Sequence, residues 1–257
     1  MNRIKQLFQD KKSNILSVYF CAGYPTLDST VPTLQALQQG GVDMVEIGIP
    51  FSDPLADGPT IQAAASKALK NGMSLHKLFE QLKDIRQSIH MPLILMGYLN
   101  PIIHYGYEAF CSKCKEVGID GLIIPDLPFD QFEEEYLSTT RKYGIEMVFL
   151  VTPETSEERI RTIDANTDGF IYTVSSASVT GAQASFNDAK QAYFKRLESM
   201  HLNNPQLVGF GISNLATRQA AEAHTAGVIV GSKFVSLLSS TATPTEAVKK
   251  LMQALNE

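Results

Sequence analysis

The chain has 257 residues, 44% hydrophobic and 19% charged, with a formal net charge of −5. That balance excludes bulk electrostatic attraction to nucleic acid or anionic lipid. It also contains no run of about 18 apolar residues that would form a membrane helix. Three cysteines are too few, and odd in number, for a disulfide framework, so a cytoplasmic setting is expected.

In chain order, residues 1–12 carry apolar side chains at Ile4, Leu7 and Phe8 and read as a short amphipathic helix packed on the body. The segment lacks the apolar centre of a signal peptide. Strands are expected at 15–20, 44–49, 93–98, 121–124, 146–151, 169–174, 207–210 and 228–230. Helices are expected at 28–40, 60–72, 74–89, 107–118, 130–143, 155–166, 186–200 and 213–226, with a last one at 243–256. Eight strands alternating with helices imply right-handed βαβ units and a parallel sheet. A doubly wound open sheet often opens on a glycine-rich turn. The first turn here, Ala22-Gly23-Tyr24-Pro25, lacks the GxGxxG pattern. Eight units in this length suit a closed (β/α)8 TIM barrel with an extra N-terminal helix, and no linker or charge block divides residues 1–257.

Barrel chemistry belongs at the C-terminal ends of the strands, where the loops collect. The strand at 44–49 carries an acid, Glu46, inside a run that otherwise reads as buried. Alternation puts Val45 and Ile47 on one face and Met44, Glu46 and Gly48 on the other. If the first face meets covering helices, Glu46 points into the barrel, where burial disfavours its charged form. Asp53 and Asp57 follow in a Pro/Gly-rich loop. A strand end and its loop thus present Glu46 and Asp57 to one pocket, an arrangement for acid–base chemistry.

Phosphate is the second expectation. Barrels often bind it through the loops after strands seven and eight, using backbone N–H groups and a helix N-terminus. Gly211, Ile212 and Ser213 fit the first loop, with Ser213 as helix N-cap, and Gly231-Ser232 fits the second; Gly181 could close a third side. Singly, each glycine could serve only a turn. Lys233 could add charge or lie solvated at the rim. Cys111 and Cys114 have the spacing of a redox or zinc half-site but lie in a helical pattern without a second ligand pair, and the five histidines show no ligand spacing. No metal site is expected.

Pro50-Phe51-Ser52-Asp53-Pro54-Leu55-Ala56-Asp57-Gly58-Pro59-Thr60-Ile61-Gln62, preceded by Val45-Glu46-Ile47-Gly48, resembles the tryptophan synthase alpha subunit family. Val179-Thr180-Gly181-Ala182, Gly209-Phe210-Gly211-Ile212-Ser213 and Gly231-Ser232 match in the same order, and the resemblance covers nearly the whole chain. It implies a TIM barrel that cleaves indole-3-glycerol phosphate to indole and glyceraldehyde 3-phosphate with no cofactor of its own. It also implies a beta subunit that carries pyridoxal phosphate, receives the indole through a tunnel and assembles with this chain as an alpha2–beta2 heterotetramer. By the same resemblance Glu46 is the general acid–base and Asp57 the second acid, at the indole N–H. Tyr172, Tyr19, Tyr98, Leu95 and Leu127 line the pocket, and Thr180 orients Asp57 when its loop closes. Asp53, Pro54 and Leu55 meet the beta subunit, although Asp53 alone would also suit a turn or cap. Three departures stand out: Ser178 where the family has Gly before Val-Thr-Gly-Ala, Ser176 or its neighbours where the family has Arg or another long residue, and Cys21-Ala22-Gly23-Tyr24-Pro25 at the end of strand one, where Thr and Asp are common. A lone indole-releasing enzyme, or a regulatory subunit that catalyses poorly, are the competing readings.

Overall fold

The computed structural model describes residues 2–175 and 188–257. Among them, nine strands form one parallel sheet: β1 Ile15–Cys21, β2 Met44–Gly48, β3 Leu93–Met96, β4 Gly121–Ile123, β5 Glu146–Val148, β6 Leu150–Val151, β7 Ile171–Val174, β8 Gln206–Gly209 and β9 Gly227–Val230. The order is β5-β4-β3-β2-β1-β9-β8-β7-β6. The two outermost strands, β5 and β6, are successive pieces of one run interrupted at Phe149, so the sheet returns on itself. The expected strand 146–151 is therefore real but broken. The backbone N–H of Tyr172 on β7 donates to the Phe149 carbonyl at the break. The TIM-barrel expectation holds.

Strand parity sorts the apolar side chains into two cores. Val18, Phe20, Val45, Ile47, Leu95, Leu122, Val208 and Val228 belong to the layer between strands and surrounding helices. Ile15, Met44, Ile94, Met96, Ile123, Val148, Tyr172, Leu207 and Ile229 fill the barrel interior. Both faces of the strands are buried, which is why β3 reads as an unbroken apolar run, Leu-Ile-Leu-Met.

The N-terminal segment does more than pack on the body. Helix Arg3–Asp10, capped by the Asn2 side chain on the Ile4 N–H, closes the base of the barrel. Ile4 and Phe8 join the interior cluster, and Phe8 meets Phe170 with ring centroids 5.8 Å apart. Gly121 on β4 makes room for this plug, since a Cβ there would stand 2.8 Å from the Ile4 side chain.

Several helices differ from expectation. The expected helix 74–89 is an α-helix over Leu75–Leu82 followed by a 3-10 turn over Ile85–Gln87, and the expected 130–143 contains a π-helical stretch over Phe132–Tyr136. Helix 213–226 is shorter, Leu215–Glu222. Two helices were not expected, Leu99–Tyr105 and Ser232–Ser240. Pro101 suggests a break, but a proline in a first turn removes no helical hydrogen bond. Ser232–Ser240 is rich in serine, and burial of Phe234, Val235 and Leu238 overrides that weak propensity.

Candidate active site

Glu46 lies at the middle of β2 and is fully buried. Its side chain is on the interior face, as parity requires. Ser17 Oγ donates a 2.9 Å hydrogen bond to Glu46 Oε1, while Oε2 is buried and has no partner among the described residues. Burial pushes the carboxyl up to about 8, against the smaller opposing effect of the Ser17 hydroxyl. The carboxyl is close enough to Tyr19 on β1 and Tyr172 on β7 to help hold both phenols well above their usual range, although burial is the main cause for each.

Asp57 sits at the mouth, two residues before helix Pro59–Lys70. Tyr98 Oη donates to Asp57 Oδ2 at 3.0 Å and accepts from the Ala56 N–H at 3.0 Å, so one phenol ties the loop to the end of β3. Burial raises the Asp57 carboxyl to about 6, with the Tyr98 hydrogen bond acting to lower it. The site therefore contains two carboxyls of unequal acidity. At neutral pH Glu46 is mostly protonated and Asp57 mostly ionised.

A cavity opens at the C-terminal ends of the strands. Its lining includes Tyr19, Met96, Tyr172 and Ile229 from the interior face, and Asp57 to Ile61 from the loop and helix after β2. Phe210, Gly211, Ile212, Gly231, Ser232 and Lys233 complete it. Two glycines shape its walls. A Cβ at Gly48 would overlap the Tyr19 hydroxyl, and one at Gly209 would overlap the Tyr172 hydroxyl.

The glycine turns lie where the sequence places them. After β8 the chain reverses through two left-handed residues, Phe210 (φ 67°) and Gly211 (φ 83°). The Phe210 conformation is costly for a bulky residue; Ser175 Oγ pins it by donating to the Phe210 carbonyl at 2.6 Å. Ser213 is buried, but Asn214, not Ser213, is the N-cap of the next helix, its side chain accepting from the Thr217 N–H. After β9, Gly231 precedes helix Ser232–Ser240 with no side-chain cap. The first amides of that helix precede its hydrogen-bond ladder and open toward the cavity rim, a setting suited to an anion.

The structure brings together Asp57, Tyr19, Tyr98, Tyr172, Gly211, Ile212, Ser213, Gly231 and Ser232 around one barrel mouth, with Glu46 below them on the interior face of β2. Two expected pocket residues are elsewhere. Leu95 belongs to the layer between strands and helices, because Ile94 and Met96 take the inward positions of β3, and Leu127 packs in the same outer layer. Met96 faces the cavity instead. Of the loop expected to meet a partner, Leu55 is 90% exposed and Asp53 is exposed, whereas Pro54 is buried. Thr180, Gly181, Ser176 and Ser178 lie outside the described residues. Lys233 is at the cavity. Sequence reasoning missed Ser17, whose only signal was a polar residue at an inward position of β1. Among the described residues, no group of three or more His, Cys, Asp or Glu is placed to hold a metal ion. Cys21, Cys111 and Cys114 are buried free thiols.

Comparison with known proteins agrees with this geometry. The family model described as tryptophan synthase alpha chain matches residues 4–257. The chain is 62% identical over 257 residues to the tryptophan synthase alpha chain of Parabacteroides distasonis, covering 100% of both. The crystal structure of the tryptophan synthase alpha chain from Legionella pneumophila subsp. pneumophila superposes with a TM-score of 0.88 at 31% identity, covering 99% of this chain and 96% of that one. A chain of tryptophan synthase from M. tuberculosis in an aminoacrylate-bound form matches at a TM-score of 0.81 and 28% identity, over 98% and 100% of the two chains. A barrel with one buried and one rim carboxyl at its mouth, matched along its length in sequence and backbone, belongs to the tryptophan synthase alpha chain family.

Proposed function

We propose that the chain cleaves indole-3-glycerol phosphate into indole and glyceraldehyde 3-phosphate. The observation that supports this most directly is the pair of unlike carboxyls in one barrel, Glu46 buried on the interior face of β2 and raised to about 8, and Asp57 at the cavity mouth and raised to about 6. A retro-aldol cleavage needs three things. The indole ring must be protonated at C3, its nitrogen must be stabilised as positive charge develops, and the proton of the glycerol hydroxyl beside the breaking bond must be removed.

Protonated Glu46 supplies the first proton to C3. Asp57, ionised at neutral pH, accepts a hydrogen bond from the ring N–H and stabilises the cation. The Glu46 carboxylate then takes the hydroxyl proton. As the aldehyde forms, the electrons of the carbon–carbon bond pass into the ring and restore neutral indole. Glu46 ends protonated, as it began, so the cycle balances. Because the carboxyl is fully shielded in the resting barrel, contact with the ring requires its side chain to turn toward the mouth. Tyr19, Met96 and Tyr172 would border the indole, with Gly211, Ile212, Ser213, Gly231 and Ser232 at the phosphate.

The chain's own part in this reaction is proton transfer and charge stabilisation, and pyridoxal phosphate is assigned to a beta subunit that receives the indole. The exposed Leu55 and Asp53 beside the mouth offer that subunit a contact, in an alpha2–beta2 assembly within the cytoplasm. The test is indole release from indole-3-glycerol phosphate by the purified chain, alone and with a beta subunit. Release that the partner accelerates is the expected result. No release under either condition would overturn the reading.

A further inference from the structure

Ser17 is buried, lies 29 residues from Glu46 in sequence, and makes the single hydrogen bond that the Glu46 carboxyl receives among the described residues. The strand register shows what that bond does. Tyr19 pairs with Glu46, and Ser17 pairs with Met44, two residues earlier on β2. Measured along the strands, Ser17 therefore lies two residues, about 6 to 7 Å, on the base side of the position paired with Glu46, from a rise of about 3.3 Å per residue. A Glu46 carboxyl bonded to Ser17 is bent toward the base, whereas the cavity opens at the C-terminal ends of the strands. The cavity lining agrees, since it includes Tyr19, Met96 and Tyr172 but not Glu46.

Resting on the reading of Glu46 as the acid, we propose that Ser17 is a positioning residue that holds the Glu46 carboxyl in a withdrawn orientation, so that the bond must break before the proton reaches substrate. The withdrawn state is not a fully satisfied one. Oε2 remains without a partner, and the neighbours of the carboxyl are apolar or phenolic. The titratable groups that face it are Tyr19 from β1 and Tyr172 from β7, with Asp57 on the loop beyond them. One hydroxyl thus holds a group that little else in the interior retains. A single neutral hydrogen bond is also weak enough for ligand binding to overcome. The Ser17 hydroxyl favours the ionised carboxyl, so its removal carries the Glu46 titration further up.

The experiment compares Ser17→Ala, Ser17→Thr and Glu46→Gln in the full chain. The measurements are steady-state indole release across pH and the infrared carboxyl band that Glu46→Gln deletes. Ser17→Ala is expected to raise kcat/KM about three- to tenfold, the equilibrium worth of one such bond, and to move the disappearance of the Glu46 carboxyl band to higher pH. Ser17→Thr, which keeps a hydroxyl, is expected to return both toward wild type. A purely structural serine predicts instead a lower melting temperature with the band unmoved. An unchanged or lower kcat/KM in folded Ser17→Ala, with the Glu46 band titrating as in wild type, overturns the proposal. Should Ser17→Ala not fold, Ser17→Cys, whose thiol is a weak donor, decides by the same two readouts: a raised kcat/KM with the band moved to higher pH supports the proposal, and wild-type values overturn it. If Glu46→Gln is inactive while Ser17→Ala behaves as wild type, only the role of Ser17 falls. If Glu46→Gln keeps its turnover, the catalytic reading falls first.

Discussion

Asp120 and Glu46 are carboxylates buried in the same barrel, one at its base and one below its mouth, and they are held in opposite ways. Asp120, the residue just before β4, is 3% exposed. Its Oδ1 accepts from Arg3 Nη1 at 3.1 Å, and its Oδ2 accepts from Arg86 Nη2 at 2.6 Å and the Leu93 N–H at 2.9 Å. Among the described residues, Glu46 receives one hydroxyl, and its second oxygen has no partner. Asp164 repeats the pattern of the base, accepting from the backbone and side-chain N–H groups of Asn203 and Asn204. Burial alone does not separate a structural acid from a catalytic one. What separates them is whether the surroundings stabilise the charge or leave it costly, because a costly carboxylate is the one that keeps a proton to transfer near neutral pH.

Exchanging the acid for its amide breaks this comparison most sharply at Glu46. Glu46→Gln is expected to lower kcat for indole release at least about a hundredfold without weakening the fold. The sign follows from the raised titration. A carboxyl at about 8 in the folded state, against 4.5 ordinarily, contributes stability that is fully present below about 4.5 and lost as pH rises through 8. Glutamine suffers no such loss. The melting temperature of the variant relative to wild type should therefore climb between pH 5 and 8, and a variant less stable at every pH would contradict the account.

At the base the pattern should invert. Asp120→Asn leaves Arg86 and Arg3 beside an uncharged group and is expected to cost about 3 kcal/mol of stability in denaturant unfolding. Its kcat should stay within about twofold of wild type. A folded Asp120→Asn protein without turnover would erase the distinction between the two ends.

The pH profile sharpens the comparison within the mouth. With Asp57 needed ionised and Glu46 protonated, kcat/KM should rise through about pH 6 and fall through about pH 8. Asp57→Asn should abolish the acid limb and leave the alkaline one. The smallest effect is expected from Tyr98→Phe. It removes the donor to Asp57 and the acceptor of the Ala56 N–H, which should lower kcat/KM about three- to tenfold and move the acid limb to higher pH.

Much of the mouth was legible because its residues are near one another in the chain. Glu46 and Gly48 share a face by alternation, Asp57 follows within the same loop, and each glycine turn directly follows its own strand. The indole wall was less legible. In β3, buried on both faces, Leu95 and Met96 are equally apolar, so no polar residue marks which parity faces inward. The resemblance pointed to Leu95 where the barrel uses Met96, and nothing in the strand itself contradicted it. Helix Leu99–Tyr105 was hidden by its proline, and Ser232–Ser240 by its serines.

The amino-acid sequence by itself determined the alternation of strands and helices, the inward parity of the acid in β2, and the glycine turns that follow β8 and β9. Each of these is written in residues a few positions apart. Only the tertiary structure decided that Ser17 bonds Glu46 across β1 and β2, that Arg3 and Arg86 converge on Asp120, and that the N-terminal helix plugs the base. Those partners lie 29, 117 and 34 residues apart for the Ser17–Glu46, Arg3–Asp120 and Arg86–Asp120 pairs, and they meet only when the sheet closes and sets its register. Local spacing shows which way a side chain points along its own strand. Which group waits opposite depends on the neighbouring strand, and that is settled by the packing of the whole barrel.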